Sequence, residues 1–168
     1  MTVPRGREIT YEDKVRYLES ILNSMWEFRF LHRDLHHLLQ DDEMLRNAYR
    51  DFSSRTVSDG RKILRSMADS GVLLATQEQI DALIVNIWVL VVSWSSFLQS
   101  ISIQNNEAGA LRKPLLKRAI YQIIALEEPF LCDTIKRQLP ELKKEYLGGA
   151  STDPLALFPT ILGDAEIN

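Results

Sequence analysis

The chain has 168 residues, 45% of them hydrophobic, which is enough for one domain with a substantial core and too little for two comfortable ones. A balance of 20 Lys and Arg against 23 Asp and Glu leaves a formal charge of -3, so no global field draws the chain onto a phosphate backbone. Cys132 is the only cysteine, which excludes an internal disulfide and a zinc site of several thiolates; no apolar run follows Met1 to Arg7, so no secretory signal and a cytoplasmic location are expected.

Thr10-Tyr11-Glu12-Asp13 places a hydroxyl three residues ahead of a carboxylate, a capping-box start for a helix whose Tyr11, Val15, Leu18, Leu22, Met25 and Trp26 share one face. That pattern runs to about Phe30. A short helix through Leu35, Leu38 and Leu39 follows, and Asp41-Asp42 offers side-chain oxygens to cap the next one. The next helix is long, with Leu45, Tyr49, Phe52, Thr56, Ile63 and Met67 in a stripe, Gly60 on the same side and Gly71 as a left-handed stop. Thr76-Gln77-Glu78-Gln79 repeats the capping-box arrangement and opens an apolar helix that ends near Ser102.

Residues Ile80 to Ile103 are rich in Ile, Val, Leu, Trp and Phe, but Asp81, Asn86, Ser93, Ser95, Ser96, Gln99, Ser100 and Ser102 interrupt them. A membrane span needs about 20 consecutive, mostly apolar residues, so a helix buried on nearly all sides is expected here and no membrane partner. After a loop marked by Asn105, Asn106 and Gly109, Leu115, Ala119, Ile120, Ile123 and Leu126 define a further helix with Pro114 in its first turn and Lys113, Lys117 and Arg118 outside. Pro129 opens a last helical stretch packed down by Leu131, Ile135, Leu142 and Tyr146, which Pro140 should kink or split. The spacing predicts an all-α bundle of about six helices: a linker over 1–9, the domain over 10–147 and an irregular tail over 148–168.

Few motifs carry chemistry. His32-Arg33-Asp34-Leu35 copies the first letters of a kinase catalytic loop, but Leu39 stands where the metal-holding Asn belongs and no Gly-rich phosphate loop is present. His32 and His36 share a helical face at a spacing that suits a metal, yet no Glu is followed by His at the third position as in di-iron bundles, and polar or pocket-lining roles are expected instead. Cys132 lacks an activating context and no Gly-x-Ser-x-Gly elbow exists, so neither catalytic residues, nor a metal, nor a cofactor are expected.

The aromatic residues Trp26, Phe30, Tyr49, Phe52 and Trp88, with His36 and Asn86 as polar groups, suit the wall of an apolar ligand cavity between the first, the long and the apolar helices. The same spacing also suits plain core, which periodicity alone does not separate from a ligand contact. The apolar helix has hydrophobic residues on more sides than one bundle covers, so a homodimer seam is expected at Val85, Val89, Val92, Ser93, Ser96 and Ser100, joined by Ala119 and Ile123 of the next helix.

The run Trp26-Glu27-Phe28-Arg29-Phe30-Leu31-His32-Arg33-Asp34-Leu35, continued by Leu38 to Leu45, resembles the C-terminal domain of a subgroup of TetR-family bacterial repressors. Ser70-Gly71-Val72-Leu73, Asn86-Ile87-Trp88, Ser93-Trp94-Ser95-Ser96-Phe97 and Glu128-Pro129-Phe130-Leu131 extend the resemblance across roughly Tyr11 to Leu147. It implies the sensor half of a regulator, which accepts a small, mainly apolar effector and pairs with a second copy through its last helices. DNA would be reached only through a helix-turn-helix head, which nothing before Tyr11 supplies. The alternative is a stand-alone dimerisation module that sequesters partner regulators.

Overall fold

The computed structural model describes residues 9–27, 35, 37–101, 112–148 and 151–153. Its main elements are α1 (Tyr11–Glu27), α2 (Glu43–Asp69), α3 (Gln77–Ile101), α4 (Arg112–Glu127), a 3-10 turn over Glu128–Phe130, α5 (Asp133–Lys136) and α6 (Leu139–Leu147). Residues 37–41 are helical as well. The architecture is all-α, as the periodicity predicts.

Local chemistry explains where these helices start and stop. At the head of α1 the Thr10 amide donates to Asp13 Oδ2 at 3.0 Å, and the Asp13 amide donates back to Thr10 Oγ1 at 3.2 Å. The box at the head of α3 is equally reciprocal, Thr76 N to Gln79 Oε1 at 2.8 Å and Gln79 N to Thr76 Oγ1 at 3.3 Å. Each pair satisfies two donors that a helix N-terminus otherwise leaves without a partner. Asp42 caps α2 by accepting from the Leu45 amide at 2.9 Å, and Gly71 just beyond α2 adopts φ 74°, a conformation that favours glycine. The last helical stretch is split ahead of Pro140, which occupies the first turn of α6, where its missing donor is harmless.

Helix α4 lies at the centre and meets α1, α3 and α6, while α3 also packs on α2 and α1. Leu18 and Leu22 of α1, Leu64 and Met67 of α2, Leu83 and Ile87 of α3, and Ile120, Ile123 and Ile124 of α4 are all buried in one core. A main-chain clasp holds the end of α2 to the turn after α4, with Leu74 N donating to Phe130 O at 2.6 Å and Cys132 N to Val72 O at 3.0 Å.

Two expectations change. The stripe on α2 is buried only in its second half, at Ile63, Leu64 and Met67, while Met44 and Phe52 are exposed. Arg118 of α4 is buried rather than outside, and its Nε has no hydrogen-bond partner among the described residues.

Candidate functional site

An apolar cavity of about 40 Å³ opens where α1, α2 and α3 meet. Lys14, Tyr17, Leu18 and Ile21 line it from α1, Thr56, Val57, Gly60, Ile63 and Leu64 from α2, and Ile84, Ile87, Trp88 and Val91 from α3. Gly60 lets α2 approach α3 here, since a Cβ at that position would lie 2.5 Å from Ile84 Cδ1. At the edge of this region the Trp88 ring stands 6.1 Å from Phe52, which in turn stands 6.4 Å from Tyr49, centroid to centroid. An aromatic row thus runs from the cavity wall to the surface.

Of the five described side chains among the seven expected to line a ligand site, Trp88 alone lines this cavity. Phe52, 46% exposed, and half-buried Tyr49 stand beside Trp88 on the outer part of α2. Asn86 is exposed on α3 and Trp26 is half-buried at the far end of α1. Phe30 and His36 lie outside the described residues, as does His32. The cavity lies between the three helices named in the sequence reading, but its walls are mostly aliphatic.

The charged cluster behind the cavity was not foreseen. Lys14, 3% exposed, pairs with Oε2 of Glu127, which is fully buried at the C-terminal end of α4. The Tyr11 hydroxyl donates to the same oxygen at 3.2 Å, and the Lys14 ammonium stands 4.8 Å from the Tyr11 ring centroid. Glu127 Oε1 has no hydrogen-bond partner among the described residues. Burial pulls the Lys14 ammonium below its ordinary pKa, against the Glu127 charge and hydrogen bond, which raise it. Burial, with the Glu127 charge second, pushes the Tyr11 phenol far above its ordinary value, so Tyr11 stays a donor.

A signal for the cluster exists in the sequence. Lys14 sits three residues after Tyr11 and four before Leu18, inside the apolar stripe, and Glu127 sits four after Ile123 inside another. Two opposite charges on buried faces point to each other, because a lone buried charge is costly.

A larger furrow of about 860 Å³ runs between α1 and α6. Glu12, Glu19, Glu141 and Glu145 alternate there with Arg16 and Lys144, a mixed and open surface that suits water better than an apolar ligand.

On the outer face of α3, Val85 and Val89 are 55% and 54% exposed, Val92 is half-buried, and Ser93, Ser96 and Ser100 are exposed. From Ala82 to Ile101 the helix carries no charged residue. Ala119 and Ile123, expected on the same seam, are sealed inside the chain's own core with 0% exposure. The bundle places that side of α4 against α1 and α3, which removes both residues from any surface the chain presents. The segment Gln77–Leu98, with mean hydropathy 1.7, is long and apolar enough to cross a membrane by composition alone. Its buried side, from Ile80 to Leu98, belongs to the core, as in a soluble core helix.

No group of three or more His, Cys, Asp or Glu suited to a metal occurs among the described residues. Residues 1–139 match the TetR family, described as bacterial transcriptional repressors. The crystal structure of a TetR-family transcriptional regulator from Marinobacter aquaeolei VT8 superposes with a TM-score of 0.74 at 32% identity, covering 86% of this chain and 66% of that one. No protein with a curated description matches the chain.

Proposed function

Because the chain belongs to the TetR family of bacterial transcriptional repressors, we propose that it is the effector-binding and dimerisation part of such a regulator, acting in the cytoplasm. The observation that carries this reading is the apolar cavity between α1, α2 and α3. Its size leaves room for a few atoms, whereas small-molecule sites occupy roughly 300 to 1,000 Å³, so a ligand must part α2 from α3 around Gly60. Binding of that kind favours one arrangement of the helices over another, which is how an effector shifts a two-state regulator.

Dimerisation follows from the outer face of α3. A second copy placed there covers Val85, Val89 and Val92, and the small Ser93, Ser96 and Ser100 let its helix approach closely. The net charge of -3 does not favour a phosphate backbone, so DNA contact in this reading is assigned to a helix-turn-helix unit and not to this bundle. The test is a thermal-shift screen of small apolar molecules on the native chain and on Val57→Phe, whose larger side chain takes up the cavity. Effectors should raise the Tm of the native protein and leave the filled variant unmoved; equal shifts in both would overturn the reading.

A further inference from the structure

We propose, resting on the reading of the cavity as the effector site, that α2 is its gate: the outer half of the helix swings away from α3 about Gly60 to admit a molecule, while the inner half stays fixed. The two halves are held differently. Past Gly60, Ile63, Leu64 and Met67 are buried in the core. Arg61 and Arg65 reach across to the start of α3, where Arg61 Nε donates to Asp81 Oδ1, Gln77 Nε2 donates to the same oxygen at 2.7 Å, and Arg65 Nε donates to Gln77 Oε1 at 2.8 Å. The clasp at Leu74 and Cys132 fixes the chain just beyond the helix. Of residues 43–59, all of them described, none is buried.

What ties the outer half to α3 is a ring contact, the partly exposed Phe52 standing 6.1 Å from Trp88 between centroids. Next to that contact lies the cavity itself, with Thr56 and Val57 on one wall and Ile87, Trp88 and Val91 on the other. An empty space gives its lining no partner atoms, so packing that would hold this stretch of α2 to α3 is missing there. Arg46 Nη1 donates to Leu39 O at 2.9 Å, which joins the helical residues 37–41 to the outer half. Gly60 stands at the boundary. A Cβ there would lie 2.5 Å from Ile84 Cδ1, so α2 rests directly on α3 at this point, and a glycine lets a helix bend at less cost than other residues do. The helix is therefore anchored beyond a fulcrum and latched by rings before it, the arrangement of a hinged element.

An outer half parted from α3 is a helix of about 15 residues alone in water, which is marginal, so the swing shows as local hydrogen exchange. On the unmodified protein, amides 47–57 should exchange at least about a hundredfold faster than amides 63–69, with a step at Gly60 and at a rate that low urea leaves unchanged. Phe52→Ala removes the latch and should raise the outer rate about tenfold without altering the inner one, whereas Phe52→Tyr, which keeps a ring, should not. Entry of ethylbenzene, followed by stopped-flow tryptophan fluorescence to which the cavity-lining Trp88 contributes, should quicken in Phe52→Ala by the same factor, because a gated rate follows the population of the open arrangement. Even protection along α2, acceleration of both halves in Phe52→Ala, or an ethylbenzene entry rate that this variant leaves unchanged would overturn the gate while leaving the cavity as the effector site. If ethylbenzene neither changes the fluorescence nor raises the Tm of the native chain, the cavity reading fails and the gate with it.

Discussion

Both faces of α3 carry branched aliphatic residues, and their fates are opposite. Ile80, Leu83, Ile84, Ile87, Val91, Trp94 and Leu98 are buried by the chain's own α1, α2 and α4, whereas Val85 and Val89 on the other face are more than half exposed. One face closes the fold, and the other is the face that the proposed dimer would cover. Hydrophobicity therefore says that a surface needs covering, and only the tertiary packing says by whom.

The largest contrast comes from placing a carboxylate on each face in turn. Leu83→Glu buries an unpaired charge in the core and should abolish cooperative unfolding in a thermal melt followed by circular dichroism, because the cost is comparable with the whole stability of a domain. A native-like melting transition in Leu83→Glu would show that the inner face is not the core.

Next in size is Glu127→Ala, which strands the buried Lys14. Breaking such a pair costs about 3 to 5 kcal/mol, a fall in Tm of about 10 °C for a chain of this length. The double variant Lys14→Met/Glu127→Gln should lose much less, since replacing both charges spares the uncompensated one. Equal losses in the two variants would mean that the pair is not coupled.

On the outer face, Val89→Glu should leave the fold intact and split the dimer, read as a halved mass in light scattering with a circular dichroism spectrum of undiminished helicity. Collapse of the helical signal would place Val89 in the core instead.

The smallest effect lies at the start of α3, where Asp81 accepts from Arg61 of α2 and from Gln77. The Arg61 hydrogen bond holds the Asp81 carboxyl below its ordinary value, so the pair's contribution is complete above the usual aspartate range, about pH 4. It is lost as the pH falls through the lowered value. Asp81→Asn should accordingly lower stability slightly at neutral pH and leave the acid end where it is, which flattens the acid limb of the stability profile. An unchanged acid limb would remove Asp81 from that account.

How much of this was legible depends on the distance between partners in the chain. The boxes at Thr10/Asp13 and Thr76/Gln79, the Asp42 cap and the stop at Gly71 are short-range, and each was readable from a few letters. That three apolar faces had to meet was readable too. The walls of the cavity between them were not, because helical spacing does not say which turn of α2 reaches α1 and α3, and the contact falls around Val57 and Gly60 rather than at Tyr49 and Phe52. Lys14 and Glu127 are 113 positions apart, so only the fold shows their contact, although each stands on an apolar stripe. Ala119 and Ile123 went astray for a related reason: α4 is covered by its own chain on the side that two apolar stripes made to look available.

The central claim is that the uncharged outer face of α3 is covered by a second copy of the chain, and its most direct test is the mass of the unmodified protein in solution. Light scattering at micromolar concentration should return twice the 19.3 kDa of one chain, and should keep returning it on dilution through that range. A steady single-chain mass would contradict the account and leave Val85 and Val89 exposed without a purpose.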